Sequence, residues 1–277
     1  MQVKRGLLLS LIVLMISSFS PKKDMSWVAI GDSITYLNDH LNETGNRVTK
    51  GYLTRVTEKL PHIHYINQGR NGWTAIRTAQ QIEKLGLQKA DVYSVLLGTN
   101  DWWRGEPLGT LNDYTNNTGI STVCGAFKVI ITKLRSLNPQ AKIILITPMQ
   151  RGDFVYINNQ KNTAWGSYKD KNNQWLSQFA DAVKAIGKLE NIEVVDLYHK
   201  GSLSVKHLVK FKRLKDRATG QYQNYKYPAY TTLPFDPETD EYPYPTQAID
   251  KTYDGLHPSD KGNEIMAGML VKAFKKL

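Results

Sequence analysis

Cysteine is nearly missing from this chain: Cys124 is the only one. A lone thiol excludes a disulfide framework and any cysteine-based zinc cluster, so stability must come from an apolar core. Long apolar runs are scarce too. Residues 6–19, GLLLSLIVLMISSF, are free of charge but number only 14, short of the roughly 20 that cross a bilayer. Internal repeats are absent. So are nucleic-acid motifs: the most basic stretch, KHLVKFKRLKDR at 206–217, reads as a solvated helix face. Acidic residues are also in deficit, 25 against 36 Lys and Arg, for a formal charge of +11.

Residues 6–19 follow Lys4 and Arg5, the order of a signal peptide: a basic start, then a short apolar stretch. Small residues Ser17, Ser18 and Ser20 suit cleavage, although Pro21 is an awkward neighbour. The expectation is a leader over 1–20 and a secreted or periplasmic protein without a membrane anchor. A buried N-terminal helix is the alternative. The whole chain, 277 residues and 41% hydrophobic, suits one large domain, which is expected over 21–277. Without Lys4 and Arg5 its formal charge is about +9, a balance that favours acidic partners such as anionic glycans, envelope polymers or nucleic acid.

Short apolar runs alternate with helix-like segments. WVAIG (27–31), IHYIN (63–67), VYSVLLG (92–98), KIILITP (142–148) and IEVVDL (192–197) read as strands, several too uniformly apolar for a half-exposed sheet. Helical spacing is found over 50–60, 74–87, 121–137 and 172–189, and Ser259 is placed to cap a last helix reaching Lys276. Repeated β-then-α order predicts an α/β fold, a three-layer α/β/α sandwich on a parallel sheet of about five strands, with ligands outside the strands' carboxyl ends. Two segments break the rhythm. Residues 149–171 read as a polar loop, and 198–253 form an insertion with eight of the fifteen tyrosines. Aromatic content on that scale speaks for order, so the insertion is expected to lie, folded, beside the site.

Polar residues gather where strands should end. GDSIT puts Ser33 just beyond the first strand, NQGRNGWTA puts Gly69 and Gly72 beyond the second, and GTND puts Asn100 beyond the third. Each has a plain reading as turn chemistry. Together they offer a hydroxyl, bare backbone N–H groups and a neutral amide donor to one sheet edge. Near the C-terminus, TYDGLHPSDKG sets Asp254 three residues before His257. Helix capping, metal ligation and catalysis all fit that spacing.

GDSIT, the Gly of NGWT, GTND and DGLHP, in that order over 28–262, resemble the four sequence blocks of the SGNH hydrolases, also called GDSL esterases and lipases. The resemblance implies the SGNH (flavodoxin-like) sandwich and ester hydrolysis through an acyl-enzyme, without metal or cofactor. It implies Ser33 as nucleophile, His257 as its base and Asp254 as the group orienting His257. It assigns the oxyanion hole to the N–H groups of Ser33 and Gly72 and the Asn100 amide. Ile34 stands where the family name has Leu, outside the chemistry.

Other residues have quieter readings. His62 and His64 would share an edge-strand face, and His199 and His207 have no partner at ligand spacing. Asp32 and Asp101 suit loop-shaping hydrogen bonds. Trp73, Trp102 and Trp103 could offer rings to a sugar or pack in the core. Arg104 could pair with a substrate carboxylate or face solvent. The resulting expectation is an exported serine esterase that removes short acyl groups, acetyl foremost, from a carbohydrate or small-molecule ester, acidic esters included. Its competitors are a lipase, lysophospholipase or thioesterase of the same kind, and a non-catalytic glycan-binding protein. Nucleic-acid binding rests on charge alone.

Overall fold

Successive side chains of MSWVAIG, Met25–Gly31, alternate between two faces, yet residues 27–31 are all buried. A strand apolar on both faces needs cover on both. The computed structural model, which describes residues 23–277, shows that cover. In chain order the elements are β1 (Met25–Gly31), α1 (Ser33–Tyr36), α2 (Tyr52–Lys59), β2 (Ile63–Gly69), α3 (Ala75–Gln80), β3 (Val92–Leu96) and α4 (Thr99–Arg104). Then come α5 (Leu111–Thr115), α6 (Val123–Leu137), β4 (Lys142–Ile146), β5 (Phe154–Tyr156), β6 (Asn159–Ala164), α7 (Leu176–Glu190) and β7 (Glu193–Val195). A hairpin of β8 (Lys212–Lys215) and β9 (Tyr222–Tyr225) precedes the closing helix α8 (Asp260–Phe274). The residues of the expected leader lie outside those described. Among the described residues no helix is long and apolar enough to cross a membrane.

Five strands form one wholly parallel sheet in the order β2-β1-β3-β4-β7. Val28, Ile30, Tyr93 and Val95 meet Ile76, Phe127, Ile131 and Phe179 from α3, α6 and α7 on one face. Trp27 and Ala29 meet Leu53, Val56, Leu270 and Phe274 from α2 and α8 on the other. This is the expected three-layer sandwich. Truncating a buried leucine such as Leu270 would cost about 2–5 kcal/mol. Ser259 accepts the Gly262 N–H and caps α8, while Asp260 in its first turn pairs with Arg55 of α2 at 2.6 Å.

The structure departs from the sequence reading in the two irregular segments. The expected polar loop at 149–171 contains an antiparallel hairpin, β5–β6. The basic stretch 206–217 is no helix: Leu208, Val209 and Leu214 are buried, and residues 212–215 form strand β8. The two inward positions of the strand are Lys212 and Leu214, and a lysine in the first of them removes the apolar alternation that marks a strand. Elsewhere the helical segment at 74–87 breaks after Gln80 into a 3-10 turn over Ile82–Leu85.

The insertion is folded, and it packs on the β5–β6 hairpin. Val155 joins Val209, Leu214, Tyr230, Tyr244 and Ala248 in a separate small core. Two tyrosine hydroxyls complete the join, Tyr242 donating to the Val155 carbonyl at 2.9 Å and Tyr244 to the Asp153 carbonyl. Lys212, almost without exposure, is paired with Asp153 at 2.9 Å.

Candidate active site

β2 lies on one side of β1 and β3 on the other. Connections therefore diverge from the carboxyl end of β1, the kind of switch point at which an open sheet leaves a crevice. Three of the polar blocks sit there. Past Gly31 the chain turns directly into α1, whose cap is Asp32: its Oδ1 accepts the Ile34 N–H at 3.0 Å. Burial pushes the Asp32 carboxyl up to about 6, opposed by that N–H and by the neighbouring His257. The turn leaves Ser33 as the first residue of α1.

The fourth block arrives from the far end of the chain. Gly255 has φ +90°, and a Cβ there would stand 1.8 Å from the Asp153 carbonyl oxygen, so only glycine fits. The tight turn wraps Asp254 around its own successor residues. Asp254 Oδ1 accepts the N–H groups of Leu256 (3.0 Å) and His257 (2.7 Å), and Oδ2 takes the His257 Nδ1 proton at 2.7 Å. Because a carboxylate only accepts, Nδ1 must carry hydrogen and Nε2 is left as an acceptor. Nε2 faces Ser33 Oγ at 2.9 Å. The imidazole is held edge-on by Phe154 (5.4 Å between ring centroids) and stacked by Tyr253 (5.9 Å). This chain of contacts can move a proton from Ser33 to His257 while Asp254 stabilises the imidazolium.

Donors flank the hydroxyl. Asn100 Nδ2 gives one hydrogen to the Trp73 carbonyl at 3.0 Å and keeps a second. Gly72 adopts φ +71°. Among the described residues, no protein acceptor takes the N–H of Ser33 or Gly72. Asp101 locks the two blocks together: both its oxygens lie 2.9 Å from the Ala75 N–H, and burial pushes its carboxyl up to about 7 against those bonds. Asp32 and Asp101 thus have the loop-shaping roles expected of them.

Ser33, Gly72, Asn100 and His257 open on a cavity of about 350 Å³. Trp103 and Arg104 line it, and Arg104 also donates to the Gly72 carbonyl at 2.9 Å. Trp102 does not. It is completely buried in the core, its indole N–H donating to the Gln174 carbonyl at 2.9 Å. Nor does Trp73 line the cavity, its ring being covered by Arg77 at 4.8 Å. Trp103, the next residue of α4, is only partly buried and reaches the cavity.

Several lining residues were not anticipated: Asn71, Arg151, Phe154, Asn162 and Leu256. Arg151 and Phe154 follow the carboxyl end of β4, where the strand-end rule applied to the first three strands would have pointed. The remaining histidines keep their quiet readings. His64 sits exposed on edge strand β2, and His199 bonds Asp196 at 3.0 Å. Among the described residues no group of three or more His, Cys, Asp or Glu could hold a metal.

Comparison with known proteins bears on the family and the fold. A family model described as GDSL-like lipase/acylhydrolase matches residues 29–265. The crystal structure of a possible lipase from Chitinophaga pinensis is 62% identical over 91% of this chain and 98% of its own, with TM-score 0.90. A protein from Lactobacillus plantarum, 18% identical over 92% of this chain and 98% of its own, shares the fold at TM-score 0.60. No curated protein sequence matches significantly.

Proposed function

The chain belongs to the GDSL-like lipase/acylhydrolase family, and from that premise we propose that it is an exported serine esterase removing short acyl groups, acetyl foremost, from carbohydrate. The observation that carries the mechanism is the continuous relay Ser33 Oγ, His257 Nε2, His257 Nδ1, Asp254 Oδ2, with links of 2.9 and 2.7 Å. Ser33 attacks the ester carbonyl as His257 takes its proton. The oxyanion is received by the Ser33 and Gly72 N–H groups and the free Asn100 N–H. His257 returns the proton to the leaving alcohol, and water, activated by the same imidazole, releases the acid.

The substrate class rests on the cavity. Its lining includes three asparagines and two arginines, with Trp103, Phe154, Ala164 and Leu256 as the larger apolar contacts. Such walls suit a hydroxyl-rich ring and a short acyl group better than a fatty chain. Export is supported by the basic start and apolar stretch of residues 4–19. A fluorophosphonate probe should label the protein at Ser33, and Ser33→Ala should lose both labelling and roughly 10⁶-fold in turnover. Activity on p-nitrophenyl esters should peak at acetate. Rates climbing with acyl length would instead favour a lipase, and absence of both labelling and turnover a glycan-binding protein.

A further inference from the structure

Arg151 is a charged group of the cavity that the ester mechanism leaves unused, and unlike Arg104 it has buried donors without a partner. It stands on the segment after β4, lines the same cavity as Ser33, and is only 1% exposed. Its guanidinium lies against the indole faces of Trp102 and Trp103, 5.3 and 4.9 Å from their centroids. Nε and Nη2 are buried and have no hydrogen-bond partner. Nearby carboxylates are already committed. Asp153 is taken by Lys212 (2.9 Å), the Gly166 N–H (3.0 Å) and the Tyr168 hydroxyl, and Asp254 by His257.

A guanidinium withdrawn from water without a counter-ion costs several kcal/mol. Indole faces offset a part of that cost but leave the N–H donors unanswered. Burial lowers the Arg151 pKa to about 10, so the group remains a cation at neutral pH. The cavity lining contains no Asp or Glu. A fixed positive charge with unpaired donors, bonded to no carboxylate and with none in the cavity wall, makes a site suited to an anion. Nε and Nη2 lie along the guanidinium edge that takes both oxygens of one carboxylate.

We propose that Arg151 receives a carboxylate carried by the substrate, making this hydrolase selective for acidic esters. The inference rests on the esterase reading of the same cavity and adds its specificity determinant. On binding, the guanidinium turns against its indole cradle to present the unpaired edge to the cavity. The carboxylate could belong to the alcohol side, as in a uronic acid sugar, or to the acyl side, as in a dicarboxylic half-ester.

Two substrate pairs separate those sources. Acetylated methyl glucuronoside is compared with acetylated methyl glucoside, and p-nitrophenyl hemisuccinate with p-nitrophenyl butyrate. In one pair the wild type should favour the acidic ester by about 10–100-fold in kcat/KM, and Arg151→Met should bring that ratio close to one. Arg151→Lys should fall between. Equal rates within both pairs, or a preference that survives in Arg151→Met, would overturn the proposal. Binding supplies a readout independent of turnover and of how well the variant folds. By calorimetry, Ser33→Ala should bind methyl glucuronoside or succinate more tightly than methyl glucoside or butanol, and less so as salt rises. Such binding without any ester turnover would sink the esterase reading and keep the anion site; turnover without anion preference would do the reverse.

Discussion

The floor and the roof of the crevice are built differently. The floor consists of strand ends, with Ser33, Gly72 and Asn100 held in place by the parallel sheet and by backbone N–H groups that donate to Asp32 and Asp101. The roof comes from the irregular segments 149–171 and 198–253, whose small core and Asp153–Lys212 pair support the turn bearing Asp254 and His257. The join is direct: the Gly152 N–H donates to the Gly255 carbonyl at 2.8 Å, and the Val155 N–H to the Asp254 carbonyl at 3.2 Å. A sheet can hold a nucleophile, but here the base depends on the roof. Substitutions in the floor should therefore impair chemistry alone, whereas those in the roof should impair stability and chemistry together.

After Ser33 itself, the largest effect is expected at Asp254, where the turn carried by the roof meets the relay to the floor. Asp254→Asn keeps the shape of the turn but removes the charge, and its amide can present an N–H where the His257 Nδ1–H should be received. Loss of about 10⁴ in kcat, with KM little changed, is the expected outcome. A loss below tenfold in steady-state kinetics would show that Asp254 serves the turn and not the imidazole.

Lys212→Met addresses the roof by itself. Lys212 has no contact with the reacting groups, but its removal strands the Asp153 carboxylate in a buried site. Breaking such a pair costs about 3–5 kcal/mol, a fall in Tm on the order of 10 °C for a chain of this size. Activity should fall as well, because Asp153 lies under the Gly255 turn. Unchanged kcat with a lowered Tm would separate roof stability from the placement of His257.

Legibility in the sequence follows the same division. β1, β3 and β4 were readable because burial on both faces leaves near-continuous apolar runs, and Ser33, Gly72 and Asn100 were readable because strand ends carry ligands. Asp254 and His257 sat close together in the chain. The roof was opaque for a physical reason: its contacts join residues far apart in sequence, as when Tyr244 meets Asp153 or Val155 meets Val209. Charge also concealed strand β8, whose buried Lys212 looks like any surface lysine until its partner is found. Arg151 shows the same limit. Nothing local in MQRGDF tells a buried, unpaired arginine from an exposed one.

Asn100→Ala tests the floor without touching the relay. The free amide hydrogen faces a cavity where negative charge would develop, and one oxyanion donor contributes about 2.7–4 kcal/mol to the barrier. Turnover should fall about 10²–10³-fold while Tm and fluorophosphonate labelling persist, the labelling being slower. A fall in Tm comparable with that of Lys212→Met would mean that Asn100 braces the Trp73 turn rather than the oxyanion, and the contrast between floor and roof would fail.

The smallest effect concerns what the floor itself costs. Burial raises Asp101 from 3.8 to about 7 in the folded protein, so the folded state holds a proton that the unfolded chain releases near its ordinary carboxyl pKa. That proton stabilises the fold fully below about pH 4, and the contribution is lost as pH rises through about 7. Asp101→Asn keeps an acceptor for the Ala75 N–H and never ionises. Relative to this variant, the wild type should lose stability between pH 4 and 7, on the order of 3 kcal/mol, measured by denaturant unfolding at successive pH values. A pH-independent difference between wild type and Asp101→Asn would mean that the N–H groups of α3 hold Asp101 ionised, and that the floor, like the roof, is secured by a buried charge.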